Sequence, residues 1–283
     1  MNVADAIAKT AALLGDHGIA DPRREAASLV ALAIGRDKTF LIAHSEHTLE
    51  SRELLQLEEF AHRRAEREPL QYIRGNQEFF GLDFLVSPEV LIPRSETEIL
   101  VEKAIEVLAP IESPFFLEIG VGSGCVSIAI LTNNPRATAV AADISPRALA
   151  VADLNARRLN VADRLRLVES DIFAAIEDSR FDVIVSNPPY ISSAEMDVLQ
   201  PEVRDFEPRA ALTDGSDGLS IIRRMITRSP EFLKPAGYIL IEIGFGQSTA
   251  VGAMFDPYVW QNAVFLPDLQ GVPRVAYSRL RAG

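Results

Sequence analysis

Residues 186–191 read Ser-Asn-Pro-Pro-Tyr-Ile and follow the apolar run Phe181-Asp182-Val183-Ile184-Val185. Pro188 and Pro189 have no backbone N–H, and each drives the residue before it out of the helical region, so the chain leaves the strand extended. Such a segment cannot fold back on itself, and its carbonyls stay free to accept. The side-chain oxygen of Asn187 and the carbonyl of Pro188 can take both hydrogens of one planar NH2 group, while Tyr190 covers that group by stacking. An amide or aromatic amine nitrogen is a poor nucleophile because its lone pair is delocalised. Holding it in line with an electrophile supplies orientation that solution lacks, and acceptors on both N–H bonds favour the positive charge that develops during attack.

A second constellation bears on the electrophile. The stretch FFLEIG runs into VGSGCVSIAI, which puts Glu118, Gly120, Gly122 and Gly124 at alternate positions of a strand-to-helix turn. Glycines there let the backbone turn tightly and lie against a ligand. A dinucleotide fingerprint needs its third glycine at position 125, where this chain has Cys125. The carboxylate before a Gly-x-Gly-x-Gly run instead resembles the first motif of S-adenosylmethionine-dependent methyltransferases with a Rossmann-like sheet. That resemblance implies that Glu118, Gly120, Val121, Gly122, Ser123 and Gly124 lie under the methionine part of the cofactor. Asp143, with Ile144 beside it, ends the next strand and can accept both ribose hydroxyls. Asp171 and Phe173 in ESDIF fit an adenine pocket, one as acceptor for the exocyclic amine and one as aromatic wall. Asn187 then faces both ligands and aims the nitrogen lone pair at the cofactor methyl; no general base is needed, because the methylated nitrogen is strongly acidic.

These groups need a frame. Residues 1–68 read as a helical bundle: Ala4, Ile7, Ala8, Ala11 and Leu14 recur at helical spacing, Asp21-Pro22 opens a second helix, and Ser51 to Arg67 is a charged one. Residues 69–92, rich in aromatic and β-branched residues between Gly75, Gly81 and Pro88, read as a β-hairpin linker. From 93 to 283 strands alternate with helices, with strands expected at 115–119, 137–142, 164–169, 181–185, 238–243, 259–265 and 275–279. That pattern predicts a parallel, doubly wound α/β sheet with ligands at the carboxyl ends of its strands.

Composition sets limits. The chain has 283 residues, 48% of them hydrophobic, with 28 Lys+Arg against 40 Asp+Glu and a net charge of -12. Duplex nucleic acid is repelled overall by such a balance. A single cysteine, Cys125, excludes a disulfide framework, and its place at the start of a helix predicts core packing rather than nucleophilic chemistry. His17, His44, His47 and His62 all lie in the helical part without a matching acidic or cysteine set, so no metal is expected. No long uncharged apolar run or signal peptide is evident, which predicts a soluble, cytoplasmic protein with no membrane contact.

The motifs together resemble those of the peptide chain release factor N(5)-glutamine methyltransferases, the PrmC/HemK family. The matching stretches are QYIRGNQEFFGLDFLVSPEVLIPRSETEILVE, LEIGVGSGCVSIAI, AADISPRALAVADLNA, FDVIVSNPPYI, EVRDFEPRAAL with DGL, and IEIGFGQ. The resemblance implies a class I methyltransferase domain over 93–283, a hairpin linker over 69–92 and a substrate-recognition domain over 1–68. It further implies S-adenosylmethionine as cofactor, the glutamine of a Gly-Gly-Gln loop in release factors as substrate, and a monomer that does not bind nucleic acid directly. By matching position, Asn187, Pro188 and Tyr190 would be catalytic, Pro189, Arg94 and Glu98 would join them in holding substrate, and Arg204 would help organise the pocket or its lid. One departure is that the family's Arg-Pro-Glu-Thr-Glu reads Arg-Ser-Glu-Thr-Glu here, with Ser95 in place of proline. A related class that methylates a glutamine of a large-subunit ribosomal protein also carries Arg-Ser, so that substrate stays open. A nucleic-acid adenine N6-methyltransferase and a non-catalytic binding protein are further alternatives; the net charge opposes the first, and intact Gly120 to Gly124, Asp143 and Asn187 oppose the second.

Overall fold

The structure, a computed structural model, describes residues 1–177 and 179–282. The first helices are α1 (Val3–Asp16), α2 (Pro22–Ala33), α3 (Lys38–Ala43), α4 (Ser51–Ala65) and α5 (Leu70–Arg74), followed by strands β1 (Asn76–Phe79) and β2 (Leu82–Leu85). Next come α6 (Glu98–Leu108), β3 (Phe115–Ile119), α7 (Cys125–Asn133), β4 (Thr138–Asp143), α8 (Pro146–Arg158), β5 (Leu165–Glu169) and β6 (Phe181–Ser186). The rest comprises α9 (Pro201–Phe206), α10 (Arg209–Leu212), α11 (Ser220–Arg228), β7 (Leu233–Glu242), α12 (Ser248–Gly252), β8 (Val264–Pro267) and β9 (Pro273–Arg279). The chain divides into two compact units: residues 1–75 together with 200–206, and residues 76–199 together with the segment from Glu207 onward.

In the first unit the helix starts are set locally. The side chain of Asn2 accepts from Asp5 N at 2.8 Å and that of Asp37 from Phe40 N at 2.8 Å, each satisfying an orphan amide of its helix. Ala6, Leu14, Leu29, Val30 and Leu57 form the core on the faces that the helical spacing marks. Arg64 is only 5% exposed, and Glu25 and Glu202 flank its guanidinium, the latter at 3.0 Å. Arg67 reaches the other oxygen of Glu202 at 2.7 Å. A buried guanidinium stripped of its carboxylates costs about 3–5 kcal/mol, so these pairs fasten α9 to α4. His44 and His47 pack their rings against Phe40, at 4.5 and 5.4 Å between centroids.

The second unit opens with the β1–β2 hairpin, whose two turn residues, Phe80 and Gly81, both have positive φ, the geometry that matches strand twist. The hairpin is shorter than the sequence suggests: Leu70–Arg74 is helical, closed by Gly75 in the left-handed region at φ 79°. A seven-stranded sheet follows, in the order β5-β4-β3-β6-β7-β9-β8. Strands β3 to β7 are parallel, and alternation along them sends Phe116, Ala139, Ala141, Val183 and Val185 into one core and Leu117, Ile119, Val140 and Ile184 into another. The chain runs β3, β4, β5 outward in one direction and then returns to place β6 on the other side of β3, so a topological switch point lies between β3 and β6.

The sheet is parallel from β5 through β7 as the alternation predicts, and one edge departs from that: β9 is antiparallel to both β7 and β8. The reason is the tight turn between β8 and β9, where the Asp268 carboxylate accepts from Gln270 N at 2.9 Å and Val272 N at 3.0 Å. Parallel neighbours would need a crossover of about a dozen residues or more, which the chain does not have there. The strand expected at 259–265 begins only at Val264, because Trp260 is taken into the core at 2% exposure. No helix among the described residues is long and apolar enough to cross a membrane.

Candidate active site

Three strand ends meet at the switch point. After β3 the backbone passes through Gly120, Gly122 and Gly124 at φ of 76°, 53° and 84°, a left-handed series that side chains rarely adopt. A Cβ on Gly124 would also lie 2.8 Å from Ile128 Cδ1 and 3.4 Å from Ala152 Cβ, so α7 and α8 close on the loop from behind. Nothing lies within 4 Å of the point where a Gly122 Cβ would sit. The tip of the loop is therefore open.

Two carboxylates hold this loop. Glu118, 2% exposed, accepts from Ser127 N at 2.9 Å in the first turn of α7, and burial pushes its carboxyl up to about 8. It braces the loop from beneath. Asp143 accepts from Gly122 N and Ser145 N, each at 2.9 Å; burial pushes its carboxyl upward and these backbone donors oppose the shift. Since a carboxylate offers about four acceptor sites, these backbone donors leave it capacity to accept from a ligand's hydroxyl. Ile144 beside it is 63% exposed, an open apolar side chain next to a polar one. Ser123 is 2% exposed, and its carbonyl accepts from Asn155 Nδ2 at 2.9 Å. Asn155 also exchanges hydrogen bonds with the backbone of Leu85, 2.8 Å from its N and 3.0 Å from its O, and so ties the hairpin to the loop.

The adenine pocket expected from ESDIF is not formed as read. Phe173 is 2% exposed, and its ring stacks on Phe232 at 4.5 Å and 6°, in the core below the sheet. Its aromatic face is already occupied, so it offers no open wall. Asp171 is half exposed and accepts from Arg224 Nη2 at 2.8 Å.

After β6, the Ser186 hydroxyl donates to Ile119 O at 2.7 Å and pins the strand end against β3. Asn187 follows half-buried, its Nδ2 donating to Thr97 Oγ1 at 3.0 Å, which leaves its side-chain oxygen as the free end of the amide. The Gly120 Cβ position is 3.8 Å from Asn187 O, so the glycine loop and Asn-Pro-Pro-Tyr abut. Tyr190 Oη donates to Glu242 Oε1 at 3.3 Å, and burial raises the phenol's pKa. Gly218 fixes the far side: a Cβ there would fall 2.2 Å from Tyr190 O, inside any tolerable contact. Gln247 Nε2 donates to the same Tyr190 carbonyl at 2.9 Å. An open pocket of about 510 Å³ adjoins the motif, lined by Tyr190, Ile191, Glu195, Leu219, Phe245 and Gln247 among others.

Three carried-over residues have hydrogen-bond or ion-pair partners of their own. Glu98 accepts from Phe80 N at 2.9 Å through Oε1 and steadies the hairpin tip. Arg94 donates to Glu207, a carboxylate 1% exposed that also accepts from Ile92 N at 3.1 Å. Arg204 lies on α9 and pairs with Asp205 at 2.7 Å. The Cys125 thiol is pushed up to about 12, chiefly by burial, and packs beside the core. No cluster of His, Cys, Asp and Glu suited to a metal ion occurs among the described residues. Nothing local in the sequence marks the roles of Thr97, Asn155, Gly218, Glu242 and Gln247, although all lie within stretches that match the family.

A sheet of this order, with a glycine loop after β3, a carboxylate closing β4 and an acceptor segment after β6, defines a class I methyltransferase. A methyltransferase from Pyrococcus furiosus shares the fold, with a TM-score of 0.52 and 16% identity over 72% of this chain and 91% of the other. Family profiles of the PrmC N-terminal domain and the methyltransferase small domain match residues 5–75 and 96–203. The release factor glutamine methyltransferase of Geobacter sulfurreducens is 43% identical over 96% of this chain and 94% of its own, and that of Koribacter versatilis 44% over 91% of each. The chain belongs to the family of release factor glutamine methyltransferases.

Proposed function

We propose that this chain transfers a methyl group from S-adenosylmethionine to the side-chain amide nitrogen of the glutamine in the Gly-Gly-Gln loop of peptide chain release factors. The observation that carries the reading is the abutment of the two loops: the point where a Gly120 Cβ would sit is 3.8 Å from the Asn187 carbonyl oxygen. One loop is built for close backbone approach, and the other has no backbone donor at Pro188 or Pro189. The open tip at Gly122, the acceptor capacity of Asp143 and the exposed Ile144 fit a ligand that joins a ribose to a flat base with apolar faces. When bound, S-adenosylmethionine supplies an electrophilic methyl on a sulfonium.

The protein's part is orientation. Asn187 Oδ1 and the Pro188 carbonyl accept both hydrogens of the glutamine NH2, Pro189 keeps the segment extended, and Tyr190 covers the amide plane. With its N–H bonds held by acceptors, the nitrogen can direct its lone pair only out of the amide plane. The same acceptors stabilise the positive charge that grows on nitrogen. No residue need remove the proton before transfer, and the product nitrogen sheds it to water. The helices of residues 1–68 serve in this reading to recognise the protein substrate, and Arg94 with Glu207 holds the chain leading to Thr97.

Incubation with methyl-labelled S-adenosylmethionine and three separate acceptors, a release factor, a large-subunit ribosomal protein and DNA, tests the proposal. Label is expected on the release factor alone and is lost when its Gly-Gly-Gln glutamine is replaced. Label on either other acceptor overturns the substrate assignment.

A further inference from the structure

Both ends of Asn-Pro-Pro-Tyr lead to one buried carboxylate that the transfer itself does not use. Glu242, at the end of β7, is 1% exposed and Thr97 is 2% exposed. Tyr190 Oη donates to Glu242 Oε1 at 3.3 Å, and Asn187 Nδ2 donates to Thr97 Oγ1 at 3.0 Å. The second oxygen, Glu242 Oε2, is buried without a hydrogen-bond partner. Burial pushes the Glu242 carboxyl up to about 7, while the Thr97 and Tyr190 hydroxyls beside it pull the other way. Glu96, from the turn before α6, adds to the rise, and Arg274, from β9, opposes it.

A hydroxyl has one hydrogen to give and two sites that accept. No hydrogen bond joins Thr97 Oγ1 to Glu242 in this structure, but the hydroxyl favours the ionised carboxylate beside it; while its hydrogen is drawn that way, Thr97 can only accept from Asn187. The Asn187 amide must then present its NH2 to Thr97 and its oxygen the opposite way. A neutral group at position 242 that can itself donate removes that polarity, and the amide is free to flip. We infer that Glu242 is a positioning residue that, through Thr97 at one end and Tyr190 at the other, sets the Asn187 oxygen toward the acceptor nitrogen. The inference rests on the reading above that this oxygen receives the substrate NH2.

Steady-state methyl transfer by Glu242→Gln, Thr97→Val, Thr97→Ser and the Glu242→Gln/Thr97→Val double variant tests it. Glu242→Gln and Thr97→Val are each expected to lower kcat by about tenfold or more, with both KM values within about threefold, the split that marks a loss felt in the transition state. The double variant is expected within about threefold of the slower single one, because the two residues act through one chain of contacts. Thr97→Ser, which keeps the hydroxyl, is expected to restore the rate. Wild-type kcat is expected to fall as pH drops below about 7, in step with protonation of Glu242, and Glu242→Gln to lose that limb. Wild-type kcat in Glu242→Gln, losses that multiply in the double variant, or an unchanged acid limb overturns the inference. A wild-type enzyme that leaves the release factor unlabelled overturns the substrate reading instead; the same variants are then compared on whichever acceptor takes label.

Discussion

The two loops at the switch point are made of opposite materials. The loop after β3 has three glycines in left-handed conformations, with a backbone N–H at its tip held by Asp143. The segment after β6 has two prolines, with no N–H between Asn187 and Tyr190. The first lies in a conformation that only glycines adopt readily, and the second has φ fixed at two successive residues. Each nevertheless rests on a buried glutamate, Glu118 under the glycines and Glu242 under the prolines, both pushed up by burial, to about 8 and about 7. Glu118 receives a helix amide and so acts on backbone; Glu242 receives a side-chain hydroxyl and so acts on the reacting end. Holding a loop and aiming a group are separate tasks here, and substitutions can part them.

The sharpest separation is expected from Asn187→Ala. Removing the clamp oxygen should cut kcat by about 10²–10³-fold, as loss of one transition-state hydrogen bond does, with cofactor affinity within a few fold by calorimetry. A comparable loss of cofactor affinity would break the division between the two loops. Asp143→Ala should act in reverse: about 1.5–3 kcal/mol of charged hydrogen bonding lost, read as cofactor binding weakened about tenfold to a hundredfold. Unchanged binding would remove Asp143 from the cofactor side.

Glu118→Gln sharpens the comparison through pH. The folded carboxyl lies near 8 and an unfolded one near 4.5, so the folded state holds its proton more tightly, and wild-type stability falls as pH rises through that window. A glutamine does not titrate. Denaturant melts at pH 5 and pH 9 should therefore show the variant gaining on wild type by about 4 kcal/mol as pH rises. A constant difference would mean that the buried carboxyl does not titrate in that range. The smallest effect on binding is expected from Phe173→Leu: cofactor affinity within about twofold, with stability lower by about 1–3 kcal/mol, since the ring packs in the core. Weakened binding at unchanged stability would return Phe173 to the pocket.

Local signals in the sequence located the parts that neighbours along the chain determine. The strand Phe115–Ile119 is a short apolar run ended by glycine, and Pro146 after Ser145 marks a helix start, so both fall where the pattern puts them. The prolines of 188 and 189 exclude donors from sequence alone. Errors arise where a distant residue decides. Phe173 of ESDIF reads as an open aromatic wall until Phe232 stacks on it in the core. Glu242 lies 145 positions from Thr97 in the chain, and only the pairing of β6 with β7 brings the motif alongside its carboxylate. The antiparallel edge was hidden for a similar reason, since the Asp268 turn is too short to be told from an ordinary loop without its hydrogen bonds.

The ion-pair cluster around Arg64 bears on how the molecule can be cut. Because Glu202 belongs with α4 and not with the residues on either side of α9, the helical unit is discontinuous along the chain. Deleting residues 1–75 would not release a tidy fragment: it would strand α9 with an acidic side chain that has lost both arginines. Separating the two units by genetic means therefore requires two deletions, or a companion substitution at Glu202, and a single truncation point would misjudge what the catalytic half can do alone.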